Sequence, residues 1–305
     1  MSANEKRIKE AKECIQRAEE HLKTSIWKMK TKPGYDSAAY EYDRAAVCFR
    51  NAEKLDMCQE MYLESAKCHA NNGNTFHAAK AKESAGMAAK DAKDFKRAAE
   101  LFEEGATGYF ESGSVDIAAQ TLDKAGKMLL DKQQDLDLAA KLYEKALNIV
   151  RNSTDKSKMV TMFGLRLISI HIKLGDLNAA MKTSEELISH FKDSGDVGKI
   201  GQLVLGMVLI ELIKGDSIAA LQRLRFLPEE HISGFSQELN AAKCLVKYYE
   251  AFDDESLQQC LKGGIWRSMD NEQLKAPEGE STIESEQKPP IAISSADDDD
   301  EEDLR

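Results

Sequence analysis

Pairs of small residues recur along this chain at a spacing of 20 residues, and the recurrence confines it to a stack of helices. Ala38-Ala39, Ala78-Ala79, Ala98-Ala99, Ala118-Ala119, Ala139-Ala140, Ala179-Ala180 and Ala219-Ala220 follow one another at steps of 40, 20, 20, 21, 40 and 40 residues. A second small pair often comes seven residues later, at Ala45-Ala46, Ala85-Gly86, Gly105-Ala106 and Ala125-Gly126, and Ser65-Ala66 fills the same place where the first pair is missing near Cys58. Seven residues is two helical turns, so both pairs lie on one face. Small side chains there let neighbouring helices approach to the lower end of the usual axis separation of about 8–10 Å. Larger residues such as Phe95, Leu101-Phe102 and Tyr109-Phe110 fill the adjoining stripe with a period near 3.6 rather than 2.0. Self-similarity at this period means a solenoid.

The punctuation agrees. Asn71-Asn72-Gly73-Asn74, Glu111-Ser112-Gly113-Ser114, Leu174-Gly175-Asp176 and Lys214-Gly215-Asp216 put Gly or Asn where a helix ends in a left-handed residue, with an Asp, Asn or Ser beside it to cap the next. Subtracting a short turn leaves helices of roughly 15 residues, each about 22 Å long. The expected fold is all-α: a right-handed, tetratricopeptide-like solenoid of antiparallel hairpins, about 40 residues per pair, closed by a C-terminal helical cap. Residues 1–200 are assigned to the solenoid and 201–270 to the cap, where the pattern becomes more apolar and Pro228 interrupts it. In residues 271–305 Pro277, Gly279, Pro289 and Pro290 sit among Ser and Glu before Asp297–Asp303. This last segment is expected to be a disordered acidic tail, with too little apolar surface to offset its ordering entropy.

Charge separates tail from body. The net charge is −11, and residues 271–305 alone hold twelve acids against three bases. A nearly neutral body with an acidic tail argues against nucleic acid as a partner. Cys14, Cys48, Cys58, Cys68, Cys244 and Cys260 form no Cys-x-x-Cys and read as buried free thiols of a reducing compartment. The polar start, Met1–Glu10, is no signal peptide. The most apolar run, Leu203–Ile213, is about half a membrane span and includes Glu211.

Catalytic and cofactor motifs are missing from the sequence. His21, His69, His77, His171, His190 and His231 show no metal-ligand spacing, and no phosphate loop or nucleophile elbow occurs. No cofactor is assigned, and the chain is read as a binding protein rather than an enzyme. A helical-repeat enzyme would need a polar pocket that the sequence does not advertise.

Two segments break the repeat. Residues 23–34 form a long connection with four lysines, no acid, and Ile26, Trp27 and Met29. Trp suits the membrane–water interface, and each Lys near an anionic surface adds about 1 kcal/mol. Ile26, Trp27, Lys28, Met29 and Lys30 are thus candidates for a weak membrane contact, against the alternative that Trp27 plugs the end of the solenoid. The second segment is the terminus, where Leu304 follows seven acids. Acidic tails commonly only solubilise, but an apolar residue flanked by charge also suits a basic surface with a small pocket.

The order and spacing of several words resemble the soluble NSF attachment proteins over nearly the whole chain. They include Tyr35-Asp36-Ser37-Ala38-Ala39, Phe76-His77-Ala78-Ala79-Lys80-Ala81, Tyr109-Phe110-Glu111-Ser112-Gly113 and Trp266-Arg267-Ser268-Met269-Asp270-Asn271. The body resembles the gamma type, whereas Glu301-Glu302-Asp303-Leu304-Arg305 is similar to the end of alpha-type members. The resemblance implies a cytoplasmic adaptor, peripheral on the cytosolic face of membranes. It would line the outside of a syntaxin-type SNARE four-helix bundle and present it to the AAA ATPase N-ethylmaleimide-sensitive factor (NSF), to which ATP belongs. It also implies a membrane role for the Ile26–Lys30 loop, docking on NSF by Glu301, Glu302 and Asp303, and stimulation of hydrolysis by Leu304. The basic residues with which alpha-type members grip SNAREs do not carry over, since Ser114–Gln120 has no Lys or Arg. Lys156, Lys158 and Arg166 nearby are the substitute candidates. The alternative is a generic tetratricopeptide scaffold unrelated to membrane fusion, although the basic, Asn-rich groove of such scaffolds does not repeat here.

Overall fold

The computed structural model describes residues 2–24, 32–131, 135–151, 157–229 and 234–267, and every element among them is helical. The chain divides into two compact units, Met1–Phe163 and Gly164–Arg305.

The first unit contains α1 (Ala3–Leu22), α2 (Tyr35–Asn51), α3 (Leu55–Asn71), α4 (Thr75–Asp91), α5 (Phe95–Glu111), α6 (Val115–Asp131) and α7 (Leu136–Arg151), and runs into α8 (Ser157–Lys173). From α1 to α7 each helix packs on its sequence neighbours, the hairpin solenoid that the period demands. Five consecutive helices, α2 to α6, are 17 residues long and begin 20 residues apart. They are longer than the roughly 15 residues read from the sequence because each turn takes only three residues. At about 1.5 Å per residue a 17-residue helix spans about 26 Å.

At several turns one residue does two jobs. At the end of α3, Gly73 adopts φ 74°, its N–H bonds the Ala70 carbonyl, and the Asn74 N–H reaches back to the His69 carbonyl. This satisfies the last carbonyls of α3. The Asn74 side chain then accepts from the His77 N–H at 3.2 Å and starts α4. Asp94, Asp176, Asp216 and Asp253 cap α5 and later helices in the same way. At the equivalent turns 20 residues to either side, the left-handed position is occupied by Glu53 (φ 59°) and Lys93 (φ 64°). A side chain there costs about 1 kcal/mol.

The small pairs are the contact surface. Ala38, Ala39, Ala45, Ala46, Ala98, Ala99, Ala106, Ala118, Ala119 and Ala125 are essentially inaccessible. Two glycines show how tight the approach is. A Cβ on Gly108 of α5 would lie 2.9 Å from the Ala79 Cβ of α4, and one on Gly126 of α6 would lie 2.5 Å from the Tyr143 ring of α7. Phe49, Phe102, Tyr143 and Phe163 fill the space beside the pairs, and all four are fully buried. Each contributes about 1.5–3 kcal/mol by leaving water.

The second unit holds the rest of α8, α9 (Leu177–Ser194), α10 (Ile200–Ile213), α11 (Ser217–Gln222), α12 (Ser236–Glu250), α13 (Asp254–Leu261) and α14 (Gly264–Arg267). Two single-turn 3₁₀ segments, Val197–Lys199 and Arg223–Phe226, join some of them. Eleven of the fourteen residues of α10 are buried, so this helix is apolar on every side because it is surrounded. It packs on α9, α11 and α12. All of the apolar run Leu203–Ile213 except Gly206 and Ile213 is buried core, and no helix among the described residues is long and apolar enough to cross a membrane. The six cysteines are free, but Cys244 is exposed on α12 and Cys48 and Cys260 are half-buried, which corrects the expectation that all are interior.

The turn geometry makes a paired prediction. Lys93→Gly raises the unfolding free energy by up to about 1 kcal/mol, because the strain of a left-handed side chain is relieved. Gly73→Ala lowers it by about 1 kcal/mol. Nothing lies within 4 Å of the added methyl, so that loss is purely backbone. Urea unfolding of both variants measures it, and equal losses in the two would contradict the assignment of the turns.

Candidate functional site

The segment proposed to touch a membrane is held firmly at its root. α1 closes with the Lys23 N–H on the Glu19 carbonyl, and the Gly34 N–H donates to the His21 carbonyl at 2.9 Å. The chain thus leaves α1 and enters α2 at one place, with Lys23, Thr24 and Lys32 exposed on the two sides. Arg17 ties the helices together behind it: its Nε donates to Glu41 at 2.9 Å, and Arg44 also meets Glu41 at 3.4 Å. Further down, the Arg7 guanidinium donates to the Asn51 carbonyl at 2.7 Å. Ile26, Trp27, Lys28, Met29 and Lys30 themselves lie outside the described residues. Along α2, Tyr40 and Val47 are exposed at 64% and 46%. They sit seven residues apart, hence on one face, a stripe that sequence reasoning passed over because the adjacent Ala pairs dominate the helix.

The acidic terminus also departs from a fixed point. Trp266, in the short final helix α14, is 1% exposed and packs in one core with Leu205, Val208, Leu212, Leu245 and Leu257. Glu301, Glu302, Asp303 and Leu304 lie outside the described residues, as does Lys156. Lys158 is exposed at the start of α8 and belongs to the first unit. Arg166 is half-buried, belongs to the second unit and already has an interaction partner, so Lys158 is the more available of the two.

Acids of the first unit are matched between helices. The Tyr109 hydroxyl donates to Glu83 at 2.8 Å, and Lys124 of α6 also reaches Glu83. Tyr143 of α7 donates to Asp123 at 3.1 Å, and Lys127 stands 2.9 Å from the same carboxylate. Burial and the Glu83 bond both push the Tyr109 phenol up, so it stays a neutral donor. A shallow depression is lined by Glu100, Glu103, Glu104, Thr107 and Lys145. Its carboxylates are paired with Arg97, Lys145 and Lys82 respectively. Two of these pairs, Lys82–Glu104 and Lys145–Glu103, brace α5 against α4 and α7. Burial raises the thiols of Cys14, Cys58 and Cys68, the last to about 11, which makes them poor nucleophiles. Among the described residues no group of His, Cys, Asp and Glu is arranged to hold a metal ion.

The second unit contains a buried ionic knot that the sequence did not reveal, because its members are 12 and 38 residues apart. Arg223 donates from Nε to Glu211 at 2.9 Å and from Nη1 to Glu185 at 2.9 Å. Lys214 adds a contact to Glu211 at 3.0 Å, and Glu211 is 2% exposed. Burial by itself raises the Glu211 carboxyl, but the bonds from Arg223 and Lys214 outweigh it and hold the group below its ordinary 4.5. A depressed carboxylate stabilises the fold above its unfolded value, and the contribution is lost as pH falls through the folded one. Arg223→Met leaves this buried charge with half its compensation and costs about 3 kcal/mol at pH 7. Arg223→Met with Glu211→Leu recovers most of the loss and reduces the loss of stability below pH 4.5. Urea unfolding of the wild type and both variants at pH 7 and pH 3.5 measures it; no recovery in the double variant contradicts it.

The model of the family "Soluble NSF attachment protein, SNAP" matches residues 9–263, from the second turn of α1 to the edge of α14. The gamma-soluble NSF attachment protein of Dictyostelium discoideum is 26% identical over 272 residues, 88% of this chain and 82% of its own. Among solved structures, BtubC (BKLC) from P. vanneervenii aligns with TM-score 0.36 at 13% identity over 83% of this chain and 92% of its own. Aspartyl phosphate phosphatase F from Bacillus subtilis aligns with TM-score 0.35 at 12% identity over 87% and 73%. Neither structural likeness bears on function. The family match extends through both compact units, and on it the chain belongs to the soluble NSF attachment protein family.

Proposed function

We propose that this chain is a gamma-type adaptor that binds assembled SNARE four-helix bundles and recruits and stimulates NSF for their disassembly in vesicle transport. The family match over residues 9–263 is the observation that carries the reading. The chemistry required of such an adaptor is geometric and electrostatic, and the described residues are suited to it. Helices stiffened by three-residue turns and cross-helix braces lose little conformational freedom on binding. Several copies around one bundle would add avidity without new contacts.

In this reading residues 1–200 form the binding stack, 201–270 cap it, and 271–305 form an acidic extension. Ile26, Trp27, Lys28, Met29 and Lys30 touch the cytosolic face of a membrane weakly and raise the local concentration of adaptor. Glu301, Glu302 and Asp303 dock on basic grooves of NSF, and Leu304 stimulates ATP hydrolysis. Lys158 contacts the SNARE bundle, with Lys156 and Arg166 as its companions. The roots described above support this division of labour, since each appendage leaves the body at an anchored point.

Reconstituted disassembly with this chain as the sole adaptor tests the proposal, and two substitutions separate its parts. Leu304→Ala leaves binding to preassembled SNARE bundles intact and lowers stimulated NSF ATPase activity; unchanged stimulation removes Leu304 from that role. Ile26→Ser with Trp27→Ser slows disassembly only when the SNAREs sit in liposomes. An equal loss with soluble bundles assigns the two residues to packing instead.

A further inference from the structure

Because the repeat is regular, residues 40 apart occupy equivalent places and can be compared directly. In the α4–α5–α6 joint four such places hold Phe76, Glu83, Tyr109 and Ile117. Tyr109 is buried, its ring meets Phe76 edge-on at 5.2 Å, and its hydroxyl donates to Glu83 at 2.8 Å. Forty residues earlier, in the α2–α3–α4 joint, the same four places hold Asp36, Asp43, His69 and His77. Hydrocarbon and phenol have been replaced by groups that titrate.

The replacement leaves a polar atom unsatisfied. Among the described residues His69 Nδ1 is buried without a hydrogen-bond partner, while the Asp43 carboxylate, whose Oδ1 is also buried, has the wholly inaccessible Ser65 hydroxyl as its polar neighbour. An imidazole nitrogen left unsatisfied in an interior is costly. The His69 and His77 rings lie with centroids 5.3 Å apart, close enough that two imidazolium charges would repel. His77 is held by its cap, with Nδ1 2.9 Å from Asn74 Oδ1, and Asp36 accepts from Asn72 at 2.8 Å. Among the described residues three titratable groups face His69. Asp43 and Asp36 come from α2 and His77 from α4, while Lys80 of α4 also faces Asp43.

We propose that the α2–α3–α4 joint is an acid-sensitive hinge, in which protonation of His69 beside His77 loosens α3 from its neighbours while the α4–α5–α6 joint stays closed. The reading is independent of the adaptor function. The energetic sign follows from the surroundings. Burial, assisted by His77 and opposed by Asp43, holds the His69 imidazole below its ordinary 6.5. The folded state therefore takes up a proton less readily than the unfolded chain, so stability present above pH 6.5 is lost as pH falls through the folded value. Asp43 works in the opposite sense: burial raises its carboxyl above 3.8, and the cost of its charge is relieved only on the acid side of that raised value. Tyr109 carries no such liability, since its phenol stays neutral throughout this range.

Hydrogen exchange on the full chain at pH 7.4 and pH 6.0, corrected for intrinsic rates, tests the hinge. Amides of α3 lose protection relative to those of α5, by up to about fourfold, the most that one depressed imidazole can give between these pH values. His69→Gln, which keeps a polar side chain of similar reach but cannot titrate in this range, abolishes the difference; His190→Gln, in the second unit, leaves it. Equal changes in α3 and α5, no change in either, or a difference that survives in His69→Gln overturns the proposal. Should His69→Gln fail to fold, NMR titration of the wild-type His69 ring decides. A midpoint below 6.5 agrees, and one at or above 6.5 overturns it.

Discussion

The close approach of helices at their small pairs is the contact on which the rest of this structure depends. Ala79 meets Gly108, and Gly126 lies under Tyr143, at distances where an added methyl would force a shift. Helices that close can be joined by only three residues, and at several turns one residue both ends a helix and caps the next. Asn74 and Asp94 close the preceding helix through their backbone N–H and open the following one through their side chain. The 20-residue period is therefore a consequence of packing and of turn chemistry together. Lengthening either the side chains or the turns would break it.

Polar groups in this architecture brace rather than react. Glu83, Glu103 and Asp123 are each met by a lysine, and two of them by a tyrosine hydroxyl as well. Glu211 is fully buried yet stays charged because Arg223 and Lys214 converge on it. The exposed pairs each stabilise little, whereas breaking one partner of the buried Glu211 is expensive. They fix which helix lies against which, a requirement for any protein that works by presenting a surface.

The fold was legible in the sequence for a physical reason: a repeated packing constraint writes the same small residues at the same interval. Turns carrying Gly73, Gly113, Gly175 and Gly215 were legible too. Those at Glu53 and Lys93 were not, because a side chain there tolerates the left-handed conformation that glycine advertises. Contacts between distant positions stayed hidden. Nothing in the local sequence around Glu211 announces Arg223, and the low polarity of α10 suggested only an apolar run. The anchoring of Trp266 among Leu205, Val208 and Leu257 was equally unreadable, since that residue attracted notice as part of a family word. Of the proposed site residues, Lys158 and Arg166 alone fall among the described residues, and the structure separates them into different units.

A member of this family with a braced, nearly neutral body and charge concentrated at one end is suited to recognise a preformed partner by surface. The central claim is that the partner is an assembled SNARE bundle rather than an isolated peptide. Titration of the purified full chain with a preassembled syntaxin-type four-helix bundle, and separately with each SNARE alone, by calorimetry without NSF tests it most directly. The account predicts saturable binding to the bundle and much weaker binding to the single chains. Equal affinity for one unassembled SNARE, or no binding to the bundle, would contradict it.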